Sequence, residues 1–413
     1  MRNLLIGAVA ASAVGCNRYD LFLVEENTQA GGSNQADVLF VVDDSDSMLQ
    51  ESVGMAENFV GFMERLVARE QGRTTDGLDD AAEAYLGQIL DPAAYVDIQL
   101  GLTTVDALER RGGLIGEPMG SDPASAERFV ERLLCEATCF ADRQVAPTDP
   151  DYVCDEAQPA IDEVSREALD CVCGESAWVG NCGGGTEMGL ESAYLAACRA
   201  VDDPPEACFE TRVGLTEDDV GSHAGFLRPG ATFIPVIVTD EGDSSLRMAP
   251  TERIPQVYAD LFDELGVFHS WAVIGPAVDD DLESICLGPT SWGILRYEYI
   301  TQGTGGRMVD IHDRDCEPVN FGAALDRVGA LIAGEINAYP LAQRPVDGTL
   351  VVEVEGKVVD PAEAQGEGLF GETLYGDGWS YEADGNLVRL YGAAQPPPGG
   401  DVAIRYLPQA AGK

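Results

Sequence analysis

The chain has 413 residues, 45% hydrophobic and 7% aromatic, enough for one large apolar core and a smaller one. Its 25 lysines and arginines stand against 72 aspartates and glutamates, a formal net charge of -47. This excludes nucleic acid as a partner, because phosphate neutralisation needs a basic face that such a chain cannot assemble, and it repels an anionic membrane surface.

Residues 1–16, MRNLLIGAVAASAVGC, place Arg2 before an apolar run from Leu4 to Val14 and end in Gly15-Cys16. The run is too short to span a bilayer and has the layout of a secretory signal. Ala13-Val14-Gly15-Cys16 resembles the bacterial lipobox, which implies cleavage before Cys16 and acylation of that cysteine. A plain signal cleaved elsewhere is the competing reading. Asn17 stands where an aspartate would mark retention at the inner membrane in some bacteria, so the outer membrane is expected. Residues 17–35 read as a tether that ends in a polar linker.

From residue 36 apolar runs alternate with amphipathic segments, the pattern of a mostly parallel, doubly wound α/β sheet covered by helices on both faces. The strand candidates are DVLFVV (37–42), VDIQLGLTT (96–104), TFIPVIVT (232–239), VFHSWAVIG (267–275) and RMVDI (307–311), with RGGLIG (111–116) as a candidate edge strand. Helical patterns fall at about 50–69, 124–134, 187–200, 251–265 and 319–336. Ligands are expected outside the carboxyl ends of the strands.

Residues 135–182 interrupt this pattern with six cysteines among Asp, Pro and Glu, a crosslinked excursion from the sheet. Setting aside Cys16, ten cysteines remain: Cys135, Cys139, Cys154, Cys171, Cys173, Cys182, Cys198, Cys208, Cys286 and Cys316. An even number in an oxidising envelope reads as five disulfides, and Cys286 with Cys316 is the one pairing expected by position. Zinc is the rival reading, but the clustered cysteines lack C-x-x-C spacing, and His223, His269 and His312 lie far off in sequence.

After Tyr339-Pro340 the texture changes to alternating strands at 348–359, 378–392 and 399–408, with Asp384-Gly385-Asn386 as a turn signal. Residues 339–413 are therefore expected as a small antiparallel β domain, following an α/β domain over 36–338. Trp379 and Tyr381, two apart, share one face of a strand and read as core packing, with a glycan-binding face as the alternative.

At 40–48, FVVDDSDSM, a buried strand runs straight into oxygen-bearing residues. In a tight turn, Asp43, Ser45 and Ser47 can aim one carboxylate and two hydroxyls at a single point, an all-oxygen half-shell that suits a hard cation such as Mg²⁺. Two other strand ends can complete it. CGGGTEMGLESA (182–193) sets Thr186 after three glycines at the start of a helix, and VIVTDEGDSS (236–245) sets Asp240 at the end of a strand.

These residues, in this order, resemble the von Willebrand factor type A domain with its metal-ion-dependent adhesion site, whose motif is D-x-S-x-S, then Thr, then Asp on three loops. The resemblance covers about residues 36–338, with GTGGRMVDI (303–311) also similar. HAGFLRPGATFIPVIVTDEGDSS (223–245) is similar, more narrowly, to acylated cysteine-rich type A lipoproteins of myxobacteria and relatives. It implies a Rossmann-like fold and a divalent cation, Mg²⁺ before Mn²⁺ or Ca²⁺, held by Asp43, Ser45, Ser47, Thr186 and Asp240. It also implies a bacterial surface lipoprotein whose metal takes an acidic group of a protein ligand, in adhesion or scaffolding. Many members have Gly where Asp46 stands, and Asp44 adds a carboxylate. Both side chains are expected to face solvent; the alternative is that they, and Asp243, shift the preference toward Ca²⁺.

No G-x-S-x-G elbow, H-E-x-x-H or Walker loop appears, so a non-enzymatic protein is expected. A metal-assisted hydrolase is the weaker alternative. A structural envelope protein, whose cation only fixes loops, is the stronger one.

Overall fold

The computed structural model describes residues 24–29, 35–67, 97–120, 122–136, 186–245, 254–267, 269–276, 286, 292–304, 306–312, 321–335, 338–341, 343–367, 373–383, 386–396 and 401–409. The expected signal and lipobox, most of the expected cysteine excursion and residues 68–96 lie outside these residues.

In chain order the elements are β1 (Val24–Gln29), β2 (Gln35–Val42), α1 (Leu49–Val67), β3 (Asp97–Thr104), α2 (Pro123–Glu136), α3 (Gly189–Arg199), β4 (Thr232–Val238), α4 (Ile254–Leu265), β5 (Ala272–Gly275), α5 (Trp292–Gly303), β6 (Arg307–Asp310), α6 (Phe321–Glu335), β7 (Ala338–Pro340), β8 (Val351–Val354), β9 (Lys357–Val359), β10 (Ala364–Glu367), β11 (Thr373–Tyr375), β12 (Gly378–Glu382), β13 (Leu387–Tyr391) and β14 (Asp401–Tyr406). Five strands pair in parallel in the order β3-β2-β4-β5-β6.

Because successive side chains of a strand point to opposite faces, each strand feeds two cores. Phe40, Val42, Leu100, Leu102, Val236 and Val238 pack under α1, α2 and α6. Leu39, Val41, Phe233, Ile237 and Val273 pack under α3, α4 and α5. A sheet buried on both faces is what the continuous apolar runs of β2 and β4 require. On the first face Phe40 meets Phe59 and Phe129 edge-on, at ring centroid distances of 5.3 and 5.1 Å. The fold is thus the doubly wound α/β class expected from the sequence.

Four elements differ from expectation. The candidate strand at 111–116 is a turn: Arg111 and Gly112 have φ of 48° and 68°, and a Cβ on Gly112 would lie 2.3 Å from the Ala196 nitrogen, so this backbone presses on α3. The edge of β3 is instead capped by a bridge from Leu100 to Met119. The strand expected over 267–275 is confined to β5; ahead of it, among the described residues, the pairing with β4 is one bridge, Phe233 to His269. Helix α5 has no counterpart in the sequence reading, because its apolar residues Ile294, Leu295, Tyr297 and Ile300 form no single stripe.

The fourth difference concerns the expected tether. Residues Val24–Gln29 form β1, which pairs antiparallel with β14 from Val24↔Tyr406 to Gln29↔Asp401. The sheet order β1-β14-β8-β9 therefore joins the N-terminal segment to the last strand of the C-terminal β module. VEENTQ carries one apolar residue in six, so its pairing rests on main-chain hydrogen bonds that a hydrophobic period does not reveal. The module has its own small core of Tyr339, Val352, Val388, Leu390, Val402, Ile404 and Tyr406. Trp379 and Tyr381 pack against it, as the core reading of that pair expected. Glu355 and Gly356, at φ of 51° and 70°, make the turn between β8 and β9 that a two-residue hairpin of the mirror type demands.

Among the described residues, no helix is long and apolar enough to cross a membrane. Cys198 and Cys208 are bridged, with Cα atoms 6.0 Å apart, and Cys135 and Cys286 are also disulfide-bonded. For these four the thiols are spent on crosslinks rather than zinc. Cys139, Cys154, Cys171, Cys173, Cys182 and Cys316 lie outside the described residues, so the expected bridge from Cys286 to Cys316 does too.

Candidate functional site at the sheet's switch point

Strand order reverses direction at β2 and β4: β3 lies on one side of β2, while β4, β5 and β6 run out on the other. Crossovers therefore leave β2 and β4 toward opposite faces, and a crevice opens at their carboxyl ends, where open α/β sheets bind ligands. Asp43 follows β2 directly, and Thr239-Asp240 follow β4. The Asp43 N–H donates to the Val238 carbonyl at 2.8 Å, continuing the ladder one step past both strands.

Asp43 is fully buried. Its Oδ1 accepts the Ser45 N–H at 2.8 Å, and its Oδ2 accepts the Thr239 hydroxyl at 2.6 Å. Ser45 Oγ lies 2.9 Å from Ser47 Oγ, and the Ser47 hydroxyl donates to Asp240 Oδ1 at 3.2 Å. Four of the five expected ligand residues are thus tied into one hydrogen-bonded group. Thr186 is half-buried, and no hydrogen bond joins its hydroxyl to the other four. Its neighbours place it: the Ser244 N–H donates to the Glu187 carbonyl at 2.6 Å, and the Met188 N–H donates to the Val105 carbonyl at 2.9 Å. Residues 186–188 therefore lie between the end of β3 and the loop after β4, with Glu187 within the field of Asp43 at the end of β2.

The electrostatics are those of carboxyls crowded in a poorly solvated crevice. Burial pushes Asp43 up to about 6, against the hydrogen bonds from Thr239 and Ser45, and Asp240 is also raised, first by burial. Asp44 is raised to about 7 by burial and then by the Asp43 charge. Glu187 is raised to about 8 by burial, with the Glu241 carboxyl and the Asp43 charge adding to it. Burial here outweighs the hydrogen bonds and the positive charge within reach, so these carboxyls resist ionisation.

Two expectations about flanking carboxylates change here. Asp44 does not face solvent, being only 4% exposed; it sits at the end of β2 within the field of Asp106 and Arg110. The side chain of Asp46 lies outside the described residues. Asp243 is not a spare ligand either. It is 3% exposed, accepts the Leu190 N–H at 3.3 Å and the Ser245 hydroxyl at 2.6 Å, and pairs with Arg296 at 3.1 Å. With Ser245, which accepts the Glu191 N–H at 3.0 Å, it caps α3 from another loop, filling donors that a helix start leaves open.

Sequence reasoning missed Thr239, Glu187 and His312. Thr239 was legible only as part of VIVTDEG, Glu187 as the residue after Thr186. His312, distant in sequence, lies two residues past β6 and within electrostatic reach of Asp240. Among the described residues no three His, Cys, Asp or Glu side chains gather as a metal cluster. A cation here would need hydroxyls beside its two carboxylates, and the donor set, all oxygen, fits a hard cation.

No protein-family model matches the chain, and no curated protein matches its sequence. Similar solved structures include the pilus adhesin SpaC of Lactobacillus rhamnosus GG in an open conformation, at 10% identity and a TM-score of 0.34 over 90% of this chain and 38% of that one. A von Willebrand factor type A protein of Catenulispora acidiphila is similar at 9% identity and 0.30, over 95% and 66%. The pilus adhesin RrgA of Streptococcus pneumoniae follows at 9% and 0.29, over 93% and 58%. The chain thus spans well under half of SpaC. Such likenesses carry no weight for function, and the fold class stands on the sheet order and the two helical layers.

Proposed function

We propose that this chain is a bacterial cell-envelope lipoprotein, held at the outer membrane through Cys16, whose α/β domain binds a divalent cation and, through it, an acidic group of a protein ligand. Asp43, Ser45, Ser47, Thr186 and Asp240 would hold the cation, Mg²⁺ first. The observation that carries the reading is the convergence of Asp43, Ser45, Ser47 and Asp240, from two loops, at the switch point of the sheet. Two carboxylates just balance a dication's charge and the three hydroxyls add none, so no excess of negative charge at the site opposes a further carboxylate as the last ligand. Such a protein adheres or scaffolds rather than turning over a substrate.

The test is calorimetric titration of the full-length protein with Mg²⁺, Mn²⁺ and Ca²⁺, alongside Asp43→Ala and Thr186→Ala. Saturable binding lost in both variants supports the reading; equal binding in Asp43→Ala overturns it. Partner capture should then vanish in chelator.

One observation favours a second reading, in which the cation only fixes loops: the same loops are already joined by Thr239 to Asp43 and by Ser47 to Asp240. On that reading chelation lowers the melting temperature and leaves partner binding intact.

A further inference from the structure

The loop that carries Asp240 reaches Asp43 through a residue outside the five ligand positions. Thr239 is fully buried, and its hydroxyl works in both directions. Oγ1 accepts the Glu241 N–H at 3.1 Å and donates to Asp43 Oδ2 at 2.6 Å. The Thr239 N–H donates to the Ile274 carbonyl at 3.0 Å, which seats its backbone on the sheet. The hydroxyl is therefore held at a fixed height above the ladder, with its proton committed to Asp43.

Asp43 is fixed from both sides as a result: Oδ1 by the Ser45 N–H at 2.8 Å, Oδ2 by Thr239. With one donor on each oxygen the carboxylate plane cannot rotate without losing a hydrogen bond in a buried place, which costs about 1–3 kcal/mol. The same hydroxyl also anchors the turn 239–241, and this turn sets where Asp240 meets Ser47. One side chain thus spaces the first and third loops of the site.

We infer that Thr239 is a positioning residue of the cation site, orienting the Asp43 carboxylate and holding the Asp240 loop at ligand distance from it. The inference rests on the cation reading above and adds to it a residue that touches no cation. Outer partners of metal-ligating groups typically contribute about 10–100-fold to metal affinity, and Thr239 is expected in that range.

The test compares full-length wild type, Thr239→Val and Thr239→Ser in Mg²⁺ and Mn²⁺ titrations, with melting temperatures recorded in chelator. Valine keeps the shape and the β-branch but removes the hydroxyl; serine keeps the hydroxyl. The expected result is affinity lowered at least tenfold in Thr239→Val and within about threefold of wild type in Thr239→Ser. That ordering must survive comparison of the chelated melting temperatures, since a merely structural loss would follow stability and not the hydroxyl. Wild-type affinity in Thr239→Val, or equal loss in both variants, overturns the inference while leaving the cation reading in place. Absence of binding in wild type overturns both.

Discussion

Ser47 donates its hydroxyl to Asp240 Oδ1 across 3.2 Å, although the two residues lie 193 positions apart. This contact joins the loop after β2 to the loop after β4 with side-chain oxygens alone, and it sets the first prediction. In Asp240→Asn the shape persists while one of two formal charges in the donor set is lost. Mg²⁺ affinity should fall at least tenfold, about 1.4 kcal/mol, with the chelated melting temperature nearly unchanged. Calorimetry reads the first and a thermal melt the second. Undiminished binding would place the cation elsewhere.

The pair Asp243 and Arg296 predicts an effect on stability rather than on the cation. Asp243 is buried and serves α3, Ser245 and Arg296 together. Gly293 lets α5 close on it, since a Cβ there would lie 2.7 Å from the Asp243 carbonyl oxygen. Asp243→Ala leaves the Arg296 charge uncompensated and one helix donor, the Leu190 N–H, open, and should destabilise by about 3–5 kcal/mol. Asp243→Ala with Arg296→Met should recover part of that loss, because the orphaned charge is gone. A denaturant melt showing the double variant less stable than the single would refute the account.

What could be read from the sequence follows from how locally each feature is encoded. β2 and β4 were legible because a strand buried on both faces must be apolar throughout, as in Leu39 to Val42 and Phe233 to Val238. Asp43, Ser45, Ser47 and Asp240 were legible because they follow such strands directly, where the topology leaves room for a ligand. Tertiary relationships were not. Asp243 looked like a spare carboxylate until Arg296 and the α3 amides were seen around it. Asp44 looked solvent-facing because no pattern announces a buried carboxyl. β1 was hidden since its partner is 372 or more residues away, from Gln29↔Asp401 outward, and its own sequence is polar.

His223 predicts an acid-sensitive seam. Its Nε2 accepts the Leu114 N–H at 3.0 Å, and its Nδ1 faces the Ala196 carbonyl at 3.4 Å, so the neutral ring pins the 106–116 turn to α3. Burial lowers its pKa from 6.5 to about 4. A depressed folded pKa gives stability that is complete above 6.5 and is lost as pH falls toward 4, on the order of 3 kcal/mol. His269, also lowered to about 4 by burial, acts in the same window. Asp37, Asp43, Asp44 and Glu187, all raised, act in the opposite sense, gaining stability as pH falls. The diagnostic is therefore the difference between wild type and His223→Gln: wild type should lose stability relative to the variant between pH 6.5 and 4. Parallel melting curves across that window would contradict the assignment.

The pairing of β1 with β14 predicts where the chain can be shortened. A protein beginning at residue 22 keeps Val24–Gln29, whereas one beginning at residue 35 exposes the whole edge of β14 from Asp401 to Tyr406. An unpaired edge of that length is a template for strands of other molecules, while the cores on the two faces of the five-stranded sheet draw no residue from 24–29. The shorter protein should therefore self-associate through its C-terminal module and still bind Mg²⁺ with the affinity of the longer one. Size-exclusion chromatography with light scattering reads the first and calorimetry the second. If both proteins are monomeric at tens of micromolar, β14 is protected by something other than β1. If the shorter protein loses the cation as well, the sheet that carries Asp43 depends on the N-terminal strand in a way its contacts do not suggest.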